Sequence, residues 1–313
     1  MTASPTYSLV VPVYNNAPSL PELIAETTRL SASFEHDFEA IFVIDGGTDD
    51  SGSRLVEMTE DLPYGTTLIE HSRNFGSFAA IRTGLRESTG NIIAIRSADL
   101  QEPTKLIEEL FRSIRPGENE VALGVRQSRK DALHRRVGAG VFWSLYRRYV
   151  QRRMPQGGVD VFACTRRVRD ELLELREANS SLVGLLIWLG YPFTVVPYVR
   201  LERVHGRSQW RLGKLLDYMS DSAFAFSHTP IRVIRWLGII GATLGLLGGA
   251  GLLILRLSGS ISEAGYTPIM VMILLMGSLN LTAVGVLGAY VWRTFENTKQ
   301  RPHSVVQKIS KRD

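Results

Sequence analysis

Cysteine is almost missing: the 313-residue chain has one, Cys164. A single cysteine excludes an internal disulfide and a cysteine-based zinc site, and leaves Cys164 as a small core residue. Histidine is sparse too, and His205 has no second His or Cys at ligand spacing, so it reads as a hydrogen-bonding loop residue. No G-x-G-x-x-G follows the first apolar run, which disfavours a nicotinamide or flavin site, and the absence of G-x-x-x-x-G-K-[ST] disfavours a P-loop NTPase. Met1 to Ser8 is short and polar, so no signal peptide is predicted. Charge is absent from two long stretches, Leu237–Leu255 and Ile269–Trp292. Each is long enough to cross roughly 30 Å of hydrocarbon. Lys and Arg are absent from the link between them, Ser258 to Gly265, whereas Arg232 and Arg235 precede the first stretch and Arg293, Lys299 and Arg301 follow the second. That asymmetry predicts two spans with both ends in the cytoplasm, and Trp236, Tyr266, Tyr290 and Trp292 sit where interfacial aromatics belong.

The first two-thirds of the chain is different. Short apolar runs at Tyr7–Val13, Glu39–Ile44, Thr66–Glu70, Ile92–Ile95 and Glu120–Val125 alternate with helix-like segments. Ser19-Leu20-Pro21-Glu22 reads as a capping box opening one of these helices. Strands alternating with helices predict a mostly parallel sheet with helices on both faces. Ligands of such sheets bind at the carboxyl ends of the strands. Asp45, Arg73, Asp99 and Arg126 all fall there: two acids and two bases, a combination suited to a metal and phosphates. Asp99 in Ser97-Ala98-Asp99-Leu100-Gln101-Glu102-Pro103 is a turn or cap residue on its own. With Gln101 two residues on, it also suits a hard divalent cation that completes its shell with phosphate and water.

Further along, Val137–Val150 mixes Arg with Phe, Trp and Tyr, as a surface helix or one lying at a membrane does. Asp160 sits in a short strand, Val159–Ala163, where a carboxylate needs a partner or a task. Thr194–Val199 is another strand and leads into a donor-rich loop, Arg200–Trp210. Leu212, Leu215, Leu216, Met219, Ala223 and Phe226 recur at helical steps, predicting an amphipathic interfacial helix. The net charge of +5 comes with basic clusters at Arg126–Arg153, Arg200–Lys214 and Lys299–Arg312, which fit nucleic acid, anionic lipid or a diphosphate.

Taken in order, Val11-Pro12-Val13-Tyr14-Asn15, Asp45-Gly46 with Asp49, Arg73-Asn74-Phe75-Gly76, Ala98-Asp99-Leu100-Gln101 with Pro103, Gly124-Val125-Arg126, Asp160, and Arg203 with Gly206 and Ser208 resemble a known family. The chain is similar to the inverting family-two glycosyltransferases of GT-A fold, in particular the membrane-anchored polyprenyl-phosphate glycosyltransferases, the group that includes dolichyl-phosphate mannose synthase. The resemblance implies that Pro12, Tyr14 and Asp45, with Asn15, Arg73 and Asp99, hold the nucleotide. It implies that Asp99 and Gln101 hold Mg²⁺ or Mn²⁺, and that Arg126, Arg135 or Arg136, Arg203 and Ser208 meet donor or lipid phosphate. Asp99, Asp160 and Arg203 are the expected catalytic set, with Asp160 facing the sugar or acceptor. Two positions depart from the family: Ile44 precedes Asp45 where a second acid is common, and Ser97 replaces the first Asp of an Asp-x-Asp metal motif.

The expected organisation is a GT-A α/β domain over 1–209, an amphipathic interfacial region over 210–235, two transmembrane helices over 236–293 and a basic cytoplasmic tail over 294–313. The expected reaction moves a sugar from a nucleotide diphosphate, preferably UDP, to polyprenyl (undecaprenyl) phosphate at the cytoplasmic face of an inner membrane. Expected partners are the nucleotide sugar, the lipid phosphate, the membrane and further copies of the chain, a tetramer being the form expected; nucleic acid is not among them. The alternatives are a GDP-mannose-dependent mannose synthase, a processive polysaccharide synthase, an inactive homologue and a non-enzymatic membrane protein. Gln209-Trp210-Arg211 does not match the Gln-x-x-Arg-Trp of processive synthases, and spans without ionisable residues argue against a transport path.

Overall fold

The computed structural model describes residues 6–35, 37–127, 144, 147–148, 151–156, 158–177, 181–202, 229–258 and 266–312. The first five strands are β1 (Tyr7–Val13), β2 (Phe38–Ile44), β3 (Gly65–His71), β4 (Ile92–Ile95) and β5 (Val121–Arg126). They alternate with α1 (Leu20–Ala32), α2 (Ser51–Met58), α3 (Ser77–Glu87) and α4 (Thr104–Ser113). Then come β6 (Val161–Thr165), α5 (Arg166–Glu174), α6 (Leu182–Trp188), β7 (Phe193–Tyr198), the long helices α7 (Thr229–Leu257) and α8 (Tyr266–Thr298), and β8 (Val306–Arg312). All eight strands form one sheet in the order β7-β5-β6-β4-β1-β2-β3-β8. Among the described strands only β6 and β8 run against the rest. The expected mostly parallel α/β architecture is therefore present.

The strands at the centre are buried on both faces, which is why they read as continuous apolar runs. Every residue of β2 is buried, and Leu9, Val10, Val11, Ile41, Phe42, Val43, Ile69 and Ile93 have 0% exposure. Pro12 is tolerated in a central strand because β4 ends opposite Val10, so beyond that point β1 loses no ladder bond on that side. α3 and α5 clamp each other through two buried arginines. Arg82 of α3 donates to the carbonyls of Leu172, Leu173 and Leu175, and Arg169 of α5 donates to those of Leu85 and Ser88. These are the carbonyls that helix ends leave unpaired.

Several readings change. The Ser19 side chain forms no cap bond to its helix; its hydroxyl donates instead to the carbonyls of Asn16 and Ala98, at 2.9 and 3.0 Å. Asp160 lies just before β6 rather than inside a strand. The 294–313 tail is in part a strand of the sheet: β8 pairs antiparallel with β3, Thr66 opposite Arg312 through His71 opposite Val306. Cys164 is a buried core thiol, and burial pushes its pKa up to about 12. The helix expected over 137–150 falls largely, and the amphipathic helix over 210–226 wholly, outside the described residues. α7 and α8 contain the two charge-free stretches. Among the described residues one segment, Leu275–Thr298, is long and apolar enough to cross a membrane. Met276 of α8 lies 3.8 Å from where a Cβ on Gly241 of α7 would be.

α3 rests on β1 and β2 at Gly84. A Cβ there would sit 2.3 Å from Val10 Cγ1 and 3.2 Å from Val43 Cγ2, both on stiff β-branched side chains in the core. Gly84→Ala is expected to lower stability by about 1–3 kcal/mol through overpacking, read as a lower thermal midpoint. An unchanged midpoint would mean that the helix and sheet do not meet this closely.

Candidate active site

The carboxyl ends of β1, β2 and β3 form the first half of the site. Asp45 follows β2 directly and is 2% exposed. A carboxylate can be buried only if hydrogen bonds replace its water. Here Asp45 accepts from His71 Nδ1 at 2.8 Å, from the Phe75 amide at 2.9 Å and from the Gly76 amide at 2.7 Å. Desolvation works to raise its pKa, but the His71 bond and the two amides outweigh it and hold the group below the usual carboxylate value. The effect is to pin the turn Arg73–Gly76 against the end of β2. Gly46 makes that approach possible: its φ is +58°, and a Cβ would lie 2.2 Å from the Arg73 carbonyl carbon. The Arg73 guanidinium lies 4.1 Å over the Phe75 ring, and that ring packs edge-on against His71.

Asn15, at the tip of β1, has φ +53°, a conformation Asn tolerates. Its side chain grips the 46–49 loop in both directions, accepting from the Thr48 amide at 2.8 Å and donating to the Thr48 hydroxyl at 3.2 Å. Asp49 accepts from the Ala17 amide, the Ser51 amide and the Ser51 hydroxyl. Desolvation opposes these bonds and they prevail, so its pKa is lowered. Asn15, Gly46, Gly47, Asp49, Ser51, Gly52, Ser53 and Glu70, over Val13 and Ile44, line a cleft of about 160 Å³. Tyr14 is half-buried beside Asn15.

The second half is acidic. Beyond β4 the chain turns at Leu100, whose φ is +58°. That costs a bulky side chain about 1–2 kcal/mol and is a strain typical of functional turns. Asp99 accepts from the Ser97 hydroxyl at 2.7 Å and from the Gln101 amide at 3.3 Å. The same hydroxyl also bonds Glu102, which is 2% exposed. Burial raises the Glu102 pKa, the Ser97 bond opposes this, and the charges of Asp99 and Asp160 add to it. One hydroxyl hydrogen cannot serve two ionised carboxylates at once, so Ser97 is shared between Asp99 and Glu102. Asp160 is brought beside this turn because β6 runs backwards from the same edge. It accepts from the Tyr198 hydroxyl at 2.6 Å, and Tyr198 is raised by burial and by the Asp160 charge. Arg200 donates to Gln101 Oε1 at 2.6 Å, and Gln101 Nε2 donates to the Leu201 carbonyl at 3.3 Å. Arg126 is exposed at the end of β5.

The two halves are joined by Ser19, which bonds the Asn16 turn and Ala98 together. Thus Asp45 with Arg73, Asn15 with the Gly46–Asp49 loop, and Asp99 with Gln101 and Asp160 share one edge of the sheet. Arg135, Arg136, Arg203 and Ser208 lie outside the described residues. Sequence reasoning does not single out His71, Glu102, Tyr198 and Arg200 as site residues; His71, Tyr198 and Arg200 are polar residues at or next to the carboxyl end of a predicted strand, which is the available signal, and Glu102 lies in the loop that follows one. Among the described residues no three His, Cys, Asp or Glu side chains converge as a metal cage. One carboxylate and one amide oxygen, Asp99 and Gln101, fit instead a cation that arrives with phosphate ligands.

Residues 8–175 match the family described as Glycosyl transferase family 2. The chain belongs to that family. It is 33% identical to the uncharacterized glycosyltransferase YkcC of Bacillus subtilis (strain 168) over 303 residues, covering 96% of this chain and 93% of that protein. It is 28% identical to the undecaprenyl-phosphate 4-deoxy-4-formamido-L-arabinose transferase of Klebsiella pneumoniae over 305 residues, 96% of this chain and 93% of that one. Among solved structures it is similar to the mannosyltransferase PcManGT of Pyrobaculum calidifontis in complex with GDP-Man and Mn²⁺, with a TM-score of 0.47, 18% identity and coverage of 90% and 88%. This family 2 glycosyltransferase has its strand-end acids and amides where an α/β sheet presents its ligand site.

Because the Asp45 pKa is depressed in the folded state, its stabilisation is present above the unfolded value and is lost as pH falls through the folded one. Asp45→Asn is expected to lose about 1–3 kcal/mol at pH 7. The gap to the parent protein should close below about pH 4. Denaturant unfolding at a series of pH values measures it, and a gap independent of pH would contradict an ionised, bonded Asp45.

Proposed function

We propose that this glycosyltransferase moves a sugar from a nucleotide diphosphate to a polyprenyl phosphate at the cytoplasmic face of a membrane. The observation that carries the proposal is the strand-end site itself, a polar cleft at Asn15, Gly46 and Asp49 tied through Ser19 to the Asp99–Gln101 turn. The acceptor is inferred from the undecaprenyl-phosphate transferase that the chain matches along almost its whole length. UDP is the preferred donor nucleotide, and GDP-mannose is the second choice.

The nucleotide would lie against Pro12, Tyr14, Asn15 and the Asp45-held turn, with Arg73 at its rim. Asp99 and Gln101 would hold Mg²⁺ or Mn²⁺, whose chemistry here is to neutralise charge on the departing diphosphate. Gln101 would then give up its bond from Arg200, freeing that guanidinium to face phosphate. A phosphate monoester, with a second pKa of about 6, already carries an attacking anionic oxygen near pH 7. The site therefore needs no strong base. It needs cancellation of the repulsion between two phosphates, the task we assign to Arg126, Arg203 and Arg135 or Arg136. Asp160, fixed by Tyr198, orients the sugar or acceptor. A single in-line attack inverts the anomeric centre. α7 and α8 are assigned as two spans that keep this edge at the lipid head groups.

Purified protein given labelled sugar nucleotides is expected to glycosylate polyprenyl phosphate but not polyprenol, with inversion. Chelator should abolish transfer, and Asp99→Asn should lose more than about a hundredfold, as when other charge-stabilising groups are removed. Transfer to polyprenol, or full activity of Asp99→Asn, would overturn the reading.

A further inference from the structure

We propose that the segment following the last long helix, residues 304–312, is a positioning element of the nucleotide site. It would act through Ser304, Thr83 and His71 on the turn that Asp45 holds. The inference rests on reading the β1–β3 cleft as the nucleotide site. A continuous line of bonds carries it. Ser304 Oγ lies 2.7 Å from Thr83 Oγ1. Thr83 Oγ1 lies 2.9 Å from His71 Nε2. His71 Nδ1 lies 2.8 Å from Asp45 Oδ1, and Asp45 accepts the Phe75 and Gly76 amides. Thr83 and His71 are 3% and 2% exposed, so no water competes for these bonds. An ionised carboxylate only accepts, which assigns the Nδ1 proton to His71 and fixes the ring plane. The Phe75 ring meets that plane edge-on and carries Arg73 on its face. The chain after the last long helix is thus connected, contact by contact, to the Arg73 turn, whose backbone packs on Gly46 of the cleft lining.

A second observation points the same way. β8 closes the edge of β3 with Lys308 in register opposite Glu70, and Glu70 lines the cleft. The Ser72 amide donates to the Val305 carbonyl at 3.0 Å, which fixes the start of the Arg73 turn. The pairing is irregular between Glu70 and His71, where β3 must turn His71 inward while Glu70 faces the cleft. A strand that served only to cover an edge would not need a buried hydroxyl relay at its start.

The test uses the full-length protein in detergent or nanodiscs, with Ser304→Ala, Ser304→Thr and, as a control on the exposed face of β8, Gln307→Ala. UDP and GDP affinities by calorimetry, donor KM and kcat, and amide exchange of the 73–77 segment are measured. Ser304→Ala is expected to raise nucleotide Kd and donor KM roughly three- to tenfold, the scale of one buried hydrogen bond. Its kcat should stay nearly unchanged, and amides 75 and 76 should exchange faster. Ser304→Thr should restore all of these, and Gln307→Ala should alter none. A lowered thermal midpoint with wild-type Kd and wild-type exchange at 75 and 76 would mean a merely structural strand and would overturn the proposal. If the parent protein bound neither nucleotide, the reading of the cleft would fail separately. The exchange of amides 75 and 76 would still decide the relay: faster in Ser304→Ala supports it, unchanged overturns it.

Discussion

One buried carboxylate organises the β1–β3 half of this enzyme's candidate site. Asp45 sits at the end of a strand with no exposed residue, where an unsatisfied charge would be prohibitive. Its three acceptor bonds come from groups that lie 26 to 31 residues away in sequence. They can form only if β3 ends in register with β2, if His71 turns inward, and if the next turn folds back far enough to offer two amides. That fold-back forces glycine at position 46. It also delivers the Arg73 turn and the start of α3, so that satisfying one charge sets the Gly46 wall of the cleft, the turn packed on it and the entry to a helix.

The other half follows a different electrostatic logic. Asp99, Glu102 and Asp160 crowd one edge, and their mutual repulsion has to be relieved. The Ser97 hydroxyl between Asp99 and Glu102, the Tyr198 hydroxyl on Asp160 and the Arg200 guanidinium beside Gln101 relieve it within the described residues. Ser97 stands where the family commonly has a further acid. Its hydroxyl takes up the space between Asp99 and Glu102 without adding charge. Arg126 is exposed at the end of β5 on the same edge.

How much of this could be read beforehand depends on range. The alternation of apolar runs and helices pointed to the sheet, and the same local signal placed Asp45, Arg73, Asp99 and Arg126 at or beyond the carboxyl ends of its strands, where they are found. His71 escaped because its partners are remote and the residue itself looks like the last position of an ordinary strand. Ser19 stands at the N-cap as expected, but its hydroxyl turns away from the helix because its partners, the Asn16 and Ala98 carbonyls, lie in loops. β8 escaped for a physical reason: Val306-Gln307-Lys308-Ile309-Ser310-Lys311-Arg312 is charged and lacks a clean period of two. An exposed edge strand carries such residues to discourage pairing with other chains. A basic tail and a basic edge strand have the same composition, and only the hydrogen-bonding partner separates them.

Photo-crosslinking tests the central claim most directly, namely that the nucleotide rests on the turn that Asp45 holds. The full-length protein is irradiated with azido-uridine diphosphate in the presence of Mn²⁺, and the labelled peptides are mapped. Attachment within residues 44–53 and 70–76, suppressed by unlabelled UDP-sugar and weakened in Asp45→Asn, is the predicted result. Attachment confined to the far side of the sheet or to α7 and α8, or labelling that Asp45→Asn leaves untouched, would contradict it.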